Sequence, residues 1–352
     1  MQKFSKTLLA FFIILGFTYG ASFQQFLHFS WEDPRGLDDA PVYLTMSHGD
    51  FNVSQGHRYR IIVPLLADLV RQAIQPMIPS NQLPWPGGID ALSFFVVNGI
   101  ITSLAGLFLY LFLIKLKFDT KLSFLGVFIF LGSRSIIMST GGPIVDSLYY
   151  LSIIIIVYLC LAQRTLLLSL LNPFLILTKE TTVPFLFLPL VLKMMNRKLI
   201  LLSLTISFVV LFQVRGMISA KLPDVIASSD PIWNILLNHL AAGKENILQS
   251  YFSFAGLHSL FSTFSIFWLF AALGAWLDYK KRVTQYEIPH FLLWMVPVTF
   301  GFTLLSANSG RMLFSLFPLV IPYSLIGMDF LISQKPANDS SEKPKPGPEK
   351  IL

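Results

Sequence analysis

The chain has 352 residues, of which 54% are hydrophobic and 13% charged, and its mean hydropathy is +0.65. A soluble domain carries roughly 25% charged residues, so this composition excludes an ordinary soluble fold and belongs to an integral membrane protein. The net charge of +7 does not mark a nucleic-acid binder, because the basic residues fall between apolar runs, and the single cysteine, Cys160, excludes an intrachain disulfide and a cysteine-based zinc site.

The first apolar run is Thr7 to Phe23, preceded by Lys3 and Lys6. A cleaved signal peptide is the competing reading, since Thr18 and Gly20 are small enough for a cleavage site. On either reading the next stretch, residues 30–90, lies outside the cytoplasm as a long loop. Within it, Gly36 to Pro64 concentrates charge: Asp38, Asp39, His48, His57, Arg58 and Arg60. From Tyr59 to Ile78, Ile62, Leu65, Leu66, Leu69 and Ile74 recur near helical spacing, with Arg60, Asp68 and Arg71 between them. That pattern predicts a helix lying in the membrane interface. Pro76, Pro79, Pro84 and Pro86 with Gly87 and Gly88 then break the chain.

Ala91 to Ile114 spans to a cytoplasmic turn at Lys115, Lys117 and Lys121. Leu122 to Thr140 spans back, with Arg134 near its outer end, and Gly141, Gly142 and Pro143 make an outer turn. Asp146 opens the next span, which ends at Leu161 before Arg164. Thr165 to Thr178 and Thr182 to Leu192 reach only roughly 21 and 16 Å as helices, short of the ~30 Å hydrocarbon core. Both outer ends of this pair are basic, so it reads as a short-helix hairpin with Lys179 and Glu180 at its tip. Lipid does not tolerate such a tip, which predicts a wet cavity beside it.

Leu199 to Val214 goes out, and residues 215–256 form a second outer loop. Ser229, Asp230 and Pro231 there signal a helix start, and a further interfacial helix is expected. Leu257 to Leu277 returns to Lys280, Lys281 and Arg282. Ile288 to Ser306 leads to Asn308 and Arg311, and Met312 to Ile332 comes back. Residues 334–352, rich in Pro, Lys and acids, read as a disordered cytoplasmic tail. The expectation is therefore an all-α polytopic membrane protein: one transmembrane domain over 1–333 with about ten hydrophobic segments. Most Lys and Arg fall on one side of that topology, which puts both termini in the cytoplasm and the protein in the plasma (inner) membrane. The abundant phenylalanine, 33 copies, serves lipid contact and interhelical packing.

Ionisable residues from five parts of the chain fall near the outer face: Asp38, Asp39, His57, Arg58, Arg60, Arg134, Asp146, Lys179, Glu180 and Arg311. At membrane depth such residues are functional candidates. Asp38 or Asp39 can serve as a general base toward a hydroxyl, or hold a divalent cation such as Mg or Mn. Adjacent acids cannot both face one site without a backbone turn, so one of the two is expected to act. Arg58, Arg60, Arg134, Lys179 and Arg311 can bind phosphate. His48 and His57 lack metal-ligand spacing with a third strong donor and read as structural.

The order of these motifs resembles the GT-C type membrane glycosyltransferases. The matching pieces are Asp38-Asp39-Ala40-x-x-Tyr43, Arg58-Tyr59-Arg60-x-x-x-Pro64, Val145-Asp146-Ser147-Leu148-Tyr149, Thr178-Lys179-Glu180-Thr181, and Arg311-Met312-Leu313-Phe314 with Pro318. The resemblance implies inverting transfer of a sugar from a polyprenyl-phosphate donor to a glycan, lipid or protein acceptor on the outer side of the bilayer. It makes Asp38 or Asp39 the base, with Arg311 and Lys179 holding the leaving phosphate. The chain departs from larger members in lacking a sizeable soluble C-terminal domain. Two other readings stand beside it: a polysaccharide polymerase or assembly factor, and a transporter or lipid flippase.

Overall fold

A computed structural model describes residues 2–32, 37–54, 56–78, 85–191, 195–220, 232–305 and 309–333. The expected disordered tail, the cap at Ser229 to Pro231, Gly36, Pro79, Pro84 and Asn308 lie outside the described residues. Every regular element among the described residues is helical, as the composition predicts.

Helix α1 (Gln2–Leu27) and α4 (Gly88–Lys115) are long enough to cross a bilayer, as are α11 (Arg197–Ser219) and the continuous segment Gly310–Ser333. Between α1 and α4 lie α2 (Ala40–Ser47) and α3 (Ile62–Ile74), both inside the first loop. A helix thus forms where one was expected, over a shorter range than Tyr59 to Ile78. It buries Val63, Pro64 and Ala67 and leaves Leu65, Leu66 and Leu69 exposed along one side.

Two runs that look like single spans in the sequence are broken. Leu122 to Thr140 divides into α5 (Thr120–Leu131) and α6 (Arg134–Gly141), bent by 63°. Ser133 causes the break: its side chain accepts a hydrogen bond from the Ile136 N–H and so caps a new helix. Leu257 to Leu277 likewise divides, where Ser265 turns the backbone to φ +49°, giving a 66° bend. Four helices therefore have the length and composition to cross a membrane, or up to six if each bent pair counts as one span. The ten segments read from the sequence include shorter runs. One is α7 (Asp146–Leu161), whose 16 residues reach roughly 24 Å. This number makes the chain a multi-pass membrane protein by the apolarity of its helices.

Helix α7 occupies the centre. Twelve of its residues are buried, and α4 packs along it. Its continuous apolar run, Ile153 to Val157, has no polar stripe because the helix is covered on all sides. The phenylalanines do pack between helices: Phe130, Tyr150, Phe264, Phe314 and Phe317 form one ring cluster joining α5, α7 and the C-terminal segment. The short-helix hairpin also forms. Helix α8 (Thr165–Leu175) leads into the tip at Lys179, and a 3-10 turn (Glu180–Thr182), α9 (Val183–Leu186) and α10 (Leu188–Val191) lead away. The remaining helices are α12 (Ile232–Tyr251), α13 (Phe254–Phe264), α14 (Phe267–Tyr279), α15 (Met295–Leu305), α16 (Ser309–Leu313) and α17 (Phe317–Ser333).

Candidate functional site

Three parts of the chain deliver charge to the N-terminus of α7. The first is the α6–α7 turn. Asn98 of α4 is fully buried and donates from Nδ2 to the carbonyls of Gly142 (3.0 Å) and Ile144 (2.9 Å), while its Oδ1 accepts from Ser147. These bonds fix the first turn of α7, where Asp146 begins the helix. A carboxylate there is favoured by the helix dipole.

The second part is the hairpin tip. Thr178 and Thr182 bond side chain to side chain at 2.9 Å across it, and Lys179 between them has extended backbone. Held this way, the Lys179 ammonium donates to Asp146 Oδ1 at 2.9 Å and lies over the Tyr149 ring, one turn along α7. The third part is α16. Gly310 packs against Ser259 and Thr263 so closely that a Cβ would meet the Ser259 hydroxyl at 2.7 Å. Arg311, next to it, forks onto Asp146 Oδ2 through Nε (2.8 Å) and Nη2. Asp146 is 3% exposed, so its charge is neutralised by two cations instead of by water.

The first loop joins this cluster through Asp39. Buried Leu37 packs beside Gly142, where a Cβ would overlap it, and this anchors the loop against the α6–α7 turn. Asp39 Oδ2 lies 3.5 Å from Arg311 Nη1, and its Oδ1 lies 3.1 Å from His57 Nε2. Asp38 is exposed. Of the adjacent acids, then, only Asp39 turns toward the cluster. The hydrogen bond from His57 holds the Asp39 carboxyl below the usual carboxylate range; burial opposes this, and the Arg311 charge adds to it. His57 is fixed in turn by Ser54, 2.6 Å from Nδ1, and by edge contact with Tyr43.

Arg60 leads to the other side. It donates to the Tyr43 hydroxyl (3.0 Å) and to Glu180 (3.2 Å). Arg215, at the end of α11, lies 3.6 Å from Glu180 and stacks on the Tyr59 ring at 4.6 Å. Tyr59, Arg60, Lys179, Glu180 and Arg215 line a cavity of about 400 Å³ whose remaining wall is apolar. A cavity is thus present at the hairpin tip, where one was expected.

Asp39, Arg60, Asp146, Lys179, Glu180 and Arg311 are thus brought together. Arg58 and Arg134 are not. Arg58 is buried and gives its guanidinium to the Val53 carbonyl, a lock within its own loop, and Arg134 is exposed at the start of α6. Sequence reasoning missed Arg215, gave Tyr43 no role beyond its place in the matched motif, and read His57 as structural. Tyr43 carried a signal, since it follows Asp39 by one helical turn. His57 carried none as a metal ligand, because its role here is to bind a carboxylate. Among the described residues no group of three His, Cys, Asp or Glu side chains could hold a metal ion. Asp39 meets a histidine and an arginine instead of further carboxylates, so this cluster does not fit the Mg or Mn site considered for it.

Chemically, the arrangement sets the partly exposed Asp39 carboxylate against His57 and Arg311, with Lys179 on the Asp146 that Arg311 also holds and Arg60 and Arg215 on the neighbouring Glu180. That combination can accept a proton and stabilise an anion in the same place. Comparison with protein-family models, with curated proteins and with solved structures returned no significant match.

Proposed function

We propose that the chain is a membrane-embedded glycosyltransferase using a polyprenyl-phosphate-linked sugar on the outer side of the plasma membrane. The observation that carries this reading is the Arg311 guanidinium, which bridges Asp39 and Asp146 and so links the first loop to Lys179. In the reaction, Asp39 takes the proton of an acceptor hydroxyl as that oxygen attacks the anomeric carbon. The bond from that carbon to the phosphate oxygen breaks, and the oxygen leaves with the electron pair. The cationic cluster takes up the charge that develops on the phosphate. Asp39 suits the first step because it is ionised at neutral pH and its side chain is 27% exposed. A positioned base contributes about 10² to 10⁴ in rate.

The test uses the full-length protein in lipid nanodiscs with a panel of polyprenyl-phosphate hexose and pentose donors and an alcohol acceptor. The expected result is acceptor-dependent release of polyprenyl phosphate from at least one donor. It should be abolished by Arg311→Gln in protein whose helical content is unchanged. Release that survives Arg311→Gln at full rate would overturn the proposal.

A further inference from the structure

The cations around the cavity are not equivalent. Lys179 is 5% exposed, sits 2.9 Å from a buried carboxylate, and shares that carboxylate with Arg311. An incoming anion would have to enter a buried site and compete there with a carboxylate already 2.9 Å from the ammonium. Arg60 and Arg215 present the opposite case. They meet over Glu180, the most exposed acid of the cluster at 41%. Arg60 Nε and Nη2 both reach the same Glu180 oxygen at 3.2 Å, and Arg215 Nη2 stands 3.6 Å from the other, beyond a good hydrogen bond. A single carboxylate spans two guanidinium groups and satisfies neither fully. All three residues line the cavity, which is also lined by Ile176, Leu177, Val183, Leu211 and Phe302.

We infer that Glu180 occupies the place of a ligand phosphate, and that Arg60 and Arg215 form the phosphate subsite it blocks until the ligand displaces it. A phosphate monoester offers three oxygens where Glu180 offers two, and matches two arginine forks at once. Glu180 can leave without disturbing Asp146, because it lies at the start of the 3-10 turn on the hairpin tip and makes its ion pairs with Arg60 and Arg215, while Asp146 is held by Lys179 and Arg311. The apolar wall fits the first carbons of an alkyl or isoprenoid chain. This assignment rests on reading the site as one for a phosphate-bearing lipid, and needs no transfer step. It moves the leaving-phosphate role away from the Lys179 and Arg311 pair implied by the resemblance.

The experiment measures binding of decyl phosphate and of inorganic phosphate to purified full-length protein in detergent, by calorimetry. Glu180→Gln should tighten binding by about tenfold, the effect of removing one competing charge-assisted pair. A gain for decyl phosphate alone assigns the site to a lipid headgroup, and an equal gain for both assigns it to free phosphate. Arg215→Gln lies at a half-buried helix end and should weaken the same ligand by about tenfold. Unchanged affinity in either variant, with its unfolding temperature preserved, would overturn the inference. The outcomes are separable: Glu180→Gln without effect leaves the transferase proposal standing, and tighter binding without transfer by any donor retires the transferase proposal alone.

Discussion

Replacing Asp146 with asparagine keeps the volume of the side chain and removes its charge. Lys179 would then keep a full charge at 5% exposure with an uncharged amide and the Tyr149 ring beside it and no carboxylate at residue 146. Removing one partner of a buried ion pair costs about 3–5 kcal/mol. Removing Lys179 instead is cheaper. In Lys179→Met, Asp146 retains the Arg311 fork on Oδ2, so the buried carboxylate stays neutralised, and the expected cost is about 1 kcal/mol. The double variant takes Asp146 from Arg311, which is 25% exposed and still faces Asp39. The expected order of stability is wild type, then Lys179→Met, then the double variant, with Asp146→Asn last. At roughly 2 °C per kcal/mol for a chain of this size, Asp146→Asn should unfold about 6–10 °C below wild type. Intrinsic tryptophan fluorescence during heating in detergent measures this. The reasoning fails if Asp146→Asn is as stable as the double variant, since an unpaired buried lysine would then carry no penalty.

Two further outcomes follow from the same contacts. Asn98→Ala should cost about 3 kcal/mol, because the Gly142 and Ile144 carbonyls and the Ser147 hydroxyl all lose a buried partner, and thermal unfolding against wild type reads this directly. Asp39 has its carboxyl held below the usual range, so its contribution is fully present above the unfolded value of about 3.9 and is lost as pH falls through the lower folded value. The stability gap between wild type and Asp39→Asn should therefore close as pH falls below about 4; a gap that persists there would contradict the assignment to Asp39.

Much of the site was legible because burying a charge in lipid is expensive. An acid at the start of an apolar run, Asp146, and a lysine in the middle of one, Lys179, had to be paired or wet. The hairpin was legible from length, since neither run could reach across a bilayer. What sequence could not assign was pairing. Asp38 and Asp39 are identical in composition and adjacent, and only the packing of Leu37 against Gly142 orients the second inward. Arg58 and Arg60 differ by two positions, yet a loop turn at Ser54 to Arg58 spends one guanidinium on a local carbonyl. Arg215 stood in the sequence as a lone basic residue at a helix end, and its meaning depends on Glu180, 35 positions earlier in the chain. The breaks within two apolar runs were hidden for a different reason. Apolarity alone cannot show a break such as the one Ser133 makes by capping a new helix within a hydrophobic run.

The measurement that bears most directly on the proposed chemistry compares Asp38→Asn with Asp39→Asn, side by side, in the transfer assay. The two substitutions are chemically the same and one position apart, so general effects on the loop cancel. Asp39→Asn should lower the rate by at least about 10²-fold, while Asp38→Asn, on the exposed side, should stay within about twofold of wild type. Equal rates for the two variants, or full activity in Asp39→Asn, would show that the carboxylate bound by His57 and Arg311 is not the base.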